Sequence, residues 1–208
     1  MKQSYIILHV ILAAFCGLVL WLPTTYNFLA WNLFLALVPF EISLFLAYLP
    51  KRSWRWLLSL LWLVFYPNTM YMLTDFMHLY SLETIGNARM NYAVLSMGIL
   101  LGVLLGLRSV NLVYHALFGQ TCWWRQFSFY TFVSFLSAYG MYLGRFLRLN
   151  SWNVVTDLHG TWSSLGQTLS WHSVEFVTVF GCLQLGLMLF NHALRNCHPQ
   201  DEIRYNNL

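Results

Sequence analysis

The strongest constraint on this chain is a succession of apolar runs, each about as long as a bilayer is thick. A helix needs roughly 20 mostly apolar residues to cross the hydrocarbon core. Six candidate spans follow one another: 5–22, 28–49, 54–79, 92–107, 127–144 and 171–194. Alternation at strand period is absent, which excludes a membrane β-barrel. The expectation is an all-α integral membrane bundle of about six transmembrane helices, with residues 1–208 as one transmembrane domain. Composition agrees: 59% of the 208 residues are apolar and 9% are charged, against about 25% charged in an ordinary soluble domain. The net charge of +4 comes from 11 scattered basic residues. No basic face for nucleic acid results.

The third span is interrupted. Its first apolar run ends at Tyr66-Pro67-Asn68, and a second apolar-aromatic run continues to Tyr80. Proline removes a backbone donor and disfavours helix in the residue before it, so a kink or break near Pro67 is expected. The first span carries Lys2 but no small-residue cleavage site, and it reads as a retained anchor. Lys and Arg concentrate in alternate loops. With both termini cytoplasmic, the inner segments hold eight basic residues (Lys2, Lys51, Arg52, Arg55, Arg108, Arg125, Arg195, Arg204) and the outer ones three (Arg89, Arg145, Arg148). That bias sets the orientation. Nine of the ten tryptophans fall near span ends, as interfacial rings do, and only Trp62 lies mid-span.

Gly98, Gly102 and Gly106 recur every four residues, as do Gly140 and Gly144. Such spacing lets helix backbones approach closely. Packing inside one bundle is the favoured reading, and a homodimer through these glycine-rich faces is the alternative. Cys16, Cys122, Cys182 and Cys197 form no C-x-x-C pair, so neither a disulfide framework nor a zinc knuckle is indicated. The two halves share no motif, which weakens an inverted-repeat transporter.

Polar residues collect toward the outer side. If the chain after Pro67 is an α-helix, Asn68, Tyr71, Asp75 and His78 fall at steps of three, four and three, as one stripe. Such a stripe should face the bundle interior or a wet cavity. Arg145 and Arg148 end the fifth span three residues apart, and paired guanidinium forks suit phosphate or carboxylate. Trp31, Asn32 and Asn150 are expected neighbours. Three readings compete: Asp75 pairs with an arginine and pins two helices; the pocket binds an anionic lipid or an envelope precursor; or Asp75 or His78 acts as general base on a phosphorylated or acyl head group. Asp75, His78, His172 and Glu175 could together offer a zinc site, but no H-E-x-x-H motif supports one. No metal or cofactor is expected. Val155, Leu158, Trp162, Leu165 and Leu169 recur at helical spacing and could form an interfacial roof.

Glu41 lies eight residues before Leu49, about 12 Å from the inner end of its helix at 1.5 Å per residue, with Pro39 beside it. A neutral carboxyl hydrogen-bonded to Gln184 or to a carbonyl freed by Pro39 is the favoured reading. A proton-coupled transporter using Glu41 is the alternative.

Three segments carry a resemblance: Trp31–Ala36; Pro67–Tyr71 with Thr74-Asp75 and His78; and Gly140–Trp152 with Arg145 and Arg148. Together they resemble a family of bacterial integral membrane proteins known as domain of unknown function 1361. The resemblance implies a multi-pass protein of the bacterial cell membrane and implies no activity. Nucleophile-elbow, Walker and paired-aspartate protease motifs are missing.

Overall fold

A computed structural model describes residues 2–22, 26–81, 88–119, 122–146 and 170–196, with backbone alone for 2, 77–81 and 88. Every regular element among the described residues is helical. The elements are α1 (Lys2–Trp21), α2 (Asn27–Tyr48), α3 (Arg52–Phe65), α4 (Pro67–Tyr71), a 3₁₀ segment (Met72–Ser81), α5 (Ala88–Phe118), α6 (Trp123–Phe146) and α7 (Trp171–Asn196).

Five stretches are long and apolar enough to cross a membrane: Gln3–Trp21, Asn27–Tyr48, Arg52–Phe76, Arg89–Phe118 and Trp171–Asn196. This is a multi-pass membrane protein built as a helical bundle. The expected fifth span, α6, has the length, since 24 residues rise about 36 Å. Its low hydropathy has a local cause: its buried face carries Gln126, Tyr130, Ser134 and Ser137. That face turns inward, and among the described residues α6 packs along α7 about as extensively as α2 packs along α5.

The break comes where proline demands it. Pro67 occupies the first turn of α4, where a missing N–H costs nothing. Tyr66 nevertheless keeps helical dihedrals (φ −56°, ψ −38°), so the chain bends onward instead of turning back. Hydroxyls bond the nearby carbonyls: Thr69 Oγ1 donates to Tyr66 O at 2.8 Å and Thr74 Oγ1 to Tyr71 O at 2.7 Å. In lipid such bonds replace those water would supply. A second proline, Pro39, lies inside an α2 that runs on uninterrupted.

The fourth span is longer than its apolar pattern. The hydropathy run ends at Arg108, yet α5 continues to Phe118 because Val110, Val113 and Leu117 are buried. Gly119 ends it with φ +72°, donating its N–H to His115 O at 2.9 Å. This is the left-handed cap that glycine permits. Arg55 ties this end to its neighbours, with Nε on Leu49 O (2.7 Å) and Nη1 on Ala116 O (3.0 Å). One guanidinium thus serves the C-terminal ends of two helices, where a cation also suits the helix dipole.

α5 is the central element: 61% of its membrane-crossing window is buried, against 17% for α1. Its glycines make this possible. Gly98 faces the Leu29 side chain of α2, Gly102 faces Met72, and Gly106 faces Thr69 and Met70. Gly140 of α6 faces the Pro67 ring, and Gly181 of α7 faces Phe135. These glycine faces are filled by the chain's own residues.

A Cβ at Gly106 would stand 2.6 Å from Thr69 Oγ1, on a β-branched side chain already committed to Tyr66 O. Gly106→Ala is therefore expected to destabilise the protein by about 1–3 kcal/mol, read as a lower thermal midpoint in detergent. Gly17→Ala, with nothing within 4 Å, serves as the neutral comparison.

Candidate functional site

Asp75 is the buried charge at the centre of the candidate site, with 1% of its surface exposed. Its position follows from the 3₁₀ geometry. Residues three apart eclipse in such a helix, so Met72 and Asp75 share the inward row, and both are buried. Phe76 lies on another row and is 40% exposed. The expected α-helical stripe is thereby corrected. Asn68 and Tyr71 belong to α4, while Asp75 and His78 belong to the 3₁₀ segment, so the four residues do not follow one helical period. The Thr74 hydroxyl bond to Tyr71 O falls at the changeover.

Two other helices bring partners. From the second turn of α2, Asn32 Nδ2 donates to Asp75 Oδ2 at 3.0 Å. From the last turn of α6, Arg145 Nη1 reaches Thr74 O at 3.5 Å. The Tyr71 phenol lies close enough to both Asp75 and Arg145 to feel their fields. So Asn32, Tyr71, Asp75 and Arg145 converge from four elements at the end of the bundle where α2 begins and α6 finishes. Arg145 is half-buried and forms no ion pair among the described residues. The ion pair found there is His9 with Glu41, elsewhere in the bundle.

The remaining sequence candidates divide three ways. Asn68 is half-buried on α4. Trp31 is corrected as a neighbour: it is 55% exposed and stacks on Phe34 at 5.7 Å, because the residue next to Asn32 points about 100° away on a helix. Arg148, Asn150, the 155–169 segment and the His78 side chain lie outside the described residues. His172 and Glu175 are both exposed, and among the described residues no three His, Cys, Asp or Glu side chains gather to hold a metal.

Glu41 has partners the sequence reading did not assign. Tyr5 Oη donates to Glu41 Oε2 at 3.0 Å, and His9 Nε2 lies 3.0 Å from Oε1. Gln184 is not a partner: its amide reaches Met141 Sδ at 3.1 Å, in the α6–α7 interface. The signal was present, since Tyr5 and His9 are four apart and share a face of α1. His9 Nδ1 also lies 2.9 Å from the Tyr5 carbonyl, so the imidazole sits between its own helix backbone and the Glu41 carboxyl. An acid beside a base is how ionisable groups are tolerated in a membrane bundle.

Residues 31–187, about three quarters of the chain, match the family described as protein of unknown function DUF1361. The chain belongs to this family. Neither a curated protein nor a solved structure matches it. The matched segment contains Asn32, Tyr71, Asp75 and Arg145 together with Glu41, whereas Tyr5 and His9 precede it.

Asn32→Leu should leave the buried Asp75 carboxylate one donor short and destabilise the protein by about 1–3 kcal/mol. Asn32→Leu combined with Asp75→Leu should recover much of that loss, because both members of the pair are then apolar. Thermal unfolding of the detergent-solubilised single and double variants checks both outcomes.

Proposed function

We propose that this protein binds an anionic group, a lipid head group or an envelope precursor, at the outward-facing end of a bundle in the bacterial cell membrane, with both termini cytoplasmic. The observation that carries this reading is Arg145, a half-buried guanidinium held by the Thr74 carbonyl beside the Tyr71 phenol and without an ion pair among the described residues. A guanidinium so fixed keeps donors for a phosphate or carboxylate, and its charge favours one. Arg148 stands three residues later in the sequence and offers a second guanidinium fork.

The test uses a soluble head group, sn-glycerol 3-phosphate, with the full chain in neutral detergent. Binding is expected for the native chain, and Arg145→Gln should weaken it by at least about tenfold, the value of a charge-assisted bond. Unchanged binding, with native helix content retained, overturns the reading. The competing class is an enzyme on a phosphorylated or acyl head group. There His78→Ala would abolish turnover while leaving the ligand bound, whereas a binding protein would lose its ligand chiefly with Arg145→Ala.

The His9–Glu41 geometry favours a second reading, proton coupling in a small transporter, since an acid and a base stand in contact between α1 and α2. Glu41→Gln retains hydrogen bonding but removes the acid. Loss of pH-driven uptake in vesicles supports coupling. Intact uptake and growth phenotypes end it and leave the contact as the polar tie between α1 and α2.

A further inference from the structure

At the opposite end of the bundle, α2 and α3 splay to leave a groove of about 480 Å³, within the range of ligand sites. Phe45 of α2 and Leu49 just past its end face Trp54, Leu57, Leu61 and Val64 of α3 across it, and no polar side chain lines it. From Trp54 to Val64 is ten residues, about 15 Å at 1.5 Å per residue. That is half of the roughly 30 Å hydrocarbon core, or one leaflet. The groove therefore has the length of one acyl chain.

Its mouth is basic. Lys51 and Arg52 form the α2–α3 turn, both exposed and neither in an ion pair among the described residues. Arg55, the third cation, is committed to Leu49 O and Ala116 O and so holds the turn in place. The first turn of α3 has no side-chain cap, so backbone N–H groups and the positive end of the helix dipole also face the mouth. Trp54 stands where the apolar lining meets these charges, the usual depth of an interfacial ring.

We infer that one acyl chain of an anionic phospholipid lies in this groove, with its phosphate against Lys51, Arg52 and the α3 N-terminus. Apolar length selects a lipid chain, and the two exposed cations select a negative head group over a zwitterionic one. The inference does not rest on the Arg145 site, which lies at the other end and is probed with a ligand that has no acyl chain.

The experiment reconstitutes the full chain in phosphatidylcholine vesicles and replaces lipid stepwise with mid-chain dibrominated phosphatidylglycerol or dibrominated phosphatidylcholine. Bromine quenches nearby tryptophan, and subtraction of Trp54→Phe isolates the Trp54 signal. Half-quenching is expected at a mole fraction of phosphatidylglycerol about tenfold lower than of phosphatidylcholine, given about 1 kcal/mol per basic residue at an anionic surface. The double substitution K51Q/R52Q should erase that preference while leaving quenching by phosphatidylcholine and helix content unchanged, whereas Arg145→Gln should leave the preference intact. Equal quenching by both lipids, a preference that survives K51Q/R52Q, or no quenching by either lipid (as when a second copy covers the groove) would each overturn the inference.

Discussion

The close approach along α5 is the contact on which the rest depends. Lipid tails are as apolar as leucine, so helices in a bilayer gain from packing and polar contacts and not from escaping water. Gly98, Gly102 and Gly106 leave bare backbone at one-turn intervals, and Leu29, Met72 and Thr69 occupy that space. One seam thus holds both α2, with Asn32, and the α4–3₁₀ segment, with Asp75. Gly140 repeats the device on α6. Its contact with the Pro67 ring draws that helix in, and Arg145, just over a turn later, reaches Thr74. A proline that interrupts one helix becomes the surface on which another packs.

Polar groups follow the same economy. Where helices end or change form, side chains bond the nearby carbonyls: Thr69 and Thr74 around the Pro67 bend, and Arg55 across the ends of α2 and α5. The aromatic and polar face of α6 is absorbed similarly. Tyr130 donates to Asn111 Oδ1 at 2.6 Å while accepting from Gln126 Nε2 at 2.6 Å. A helix that looks marginal by hydropathy is thereby matched to its place beside α5 and α7. The His9–Glu41–Tyr5 contact is different in kind. It binds the least buried helix, α1, to the bundle by neutralising an acid, where the other helices rely on close packing.

Much of the helix plan was legible along the chain, because span length and apolarity report directly on the thickness of the solvent. Boundaries were less so. Arg108 ends an apolar run but not a helix, since α5 continues on burial of Val110, Val113 and Leu117. The candidate site was half legible. Asn32, Tyr71, Asp75 and Arg145 are all legible as candidates in the sequence, yet the stripe of Asn68, Tyr71, Asp75 and His78 assumes an α-helical period. The 3₁₀ segment rotates Asp75 inward relative to Tyr71, and local propensity gives no warning of ten residues in that conformation, because such runs are uncommon. For Glu41 the partner was misjudged. Depth along the helix suggested Gln184, but depth does not say which helix stands alongside.

The sequence by itself determined that this chain lives in a membrane, how many times it nears spanning length, where its third span breaks, and which few polar residues a bilayer would not tolerate unpartnered. Those are properties of single segments in a known solvent. The tertiary structure alone decided which polar residues meet: Asn32 with Asp75, Arg145 with Thr74 and Tyr71, and His9 and Tyr5 with Glu41. Those pairings depend on which faces the glycine seams bring together, and helix neighbours are set by packing between segments, which no one segment encodes.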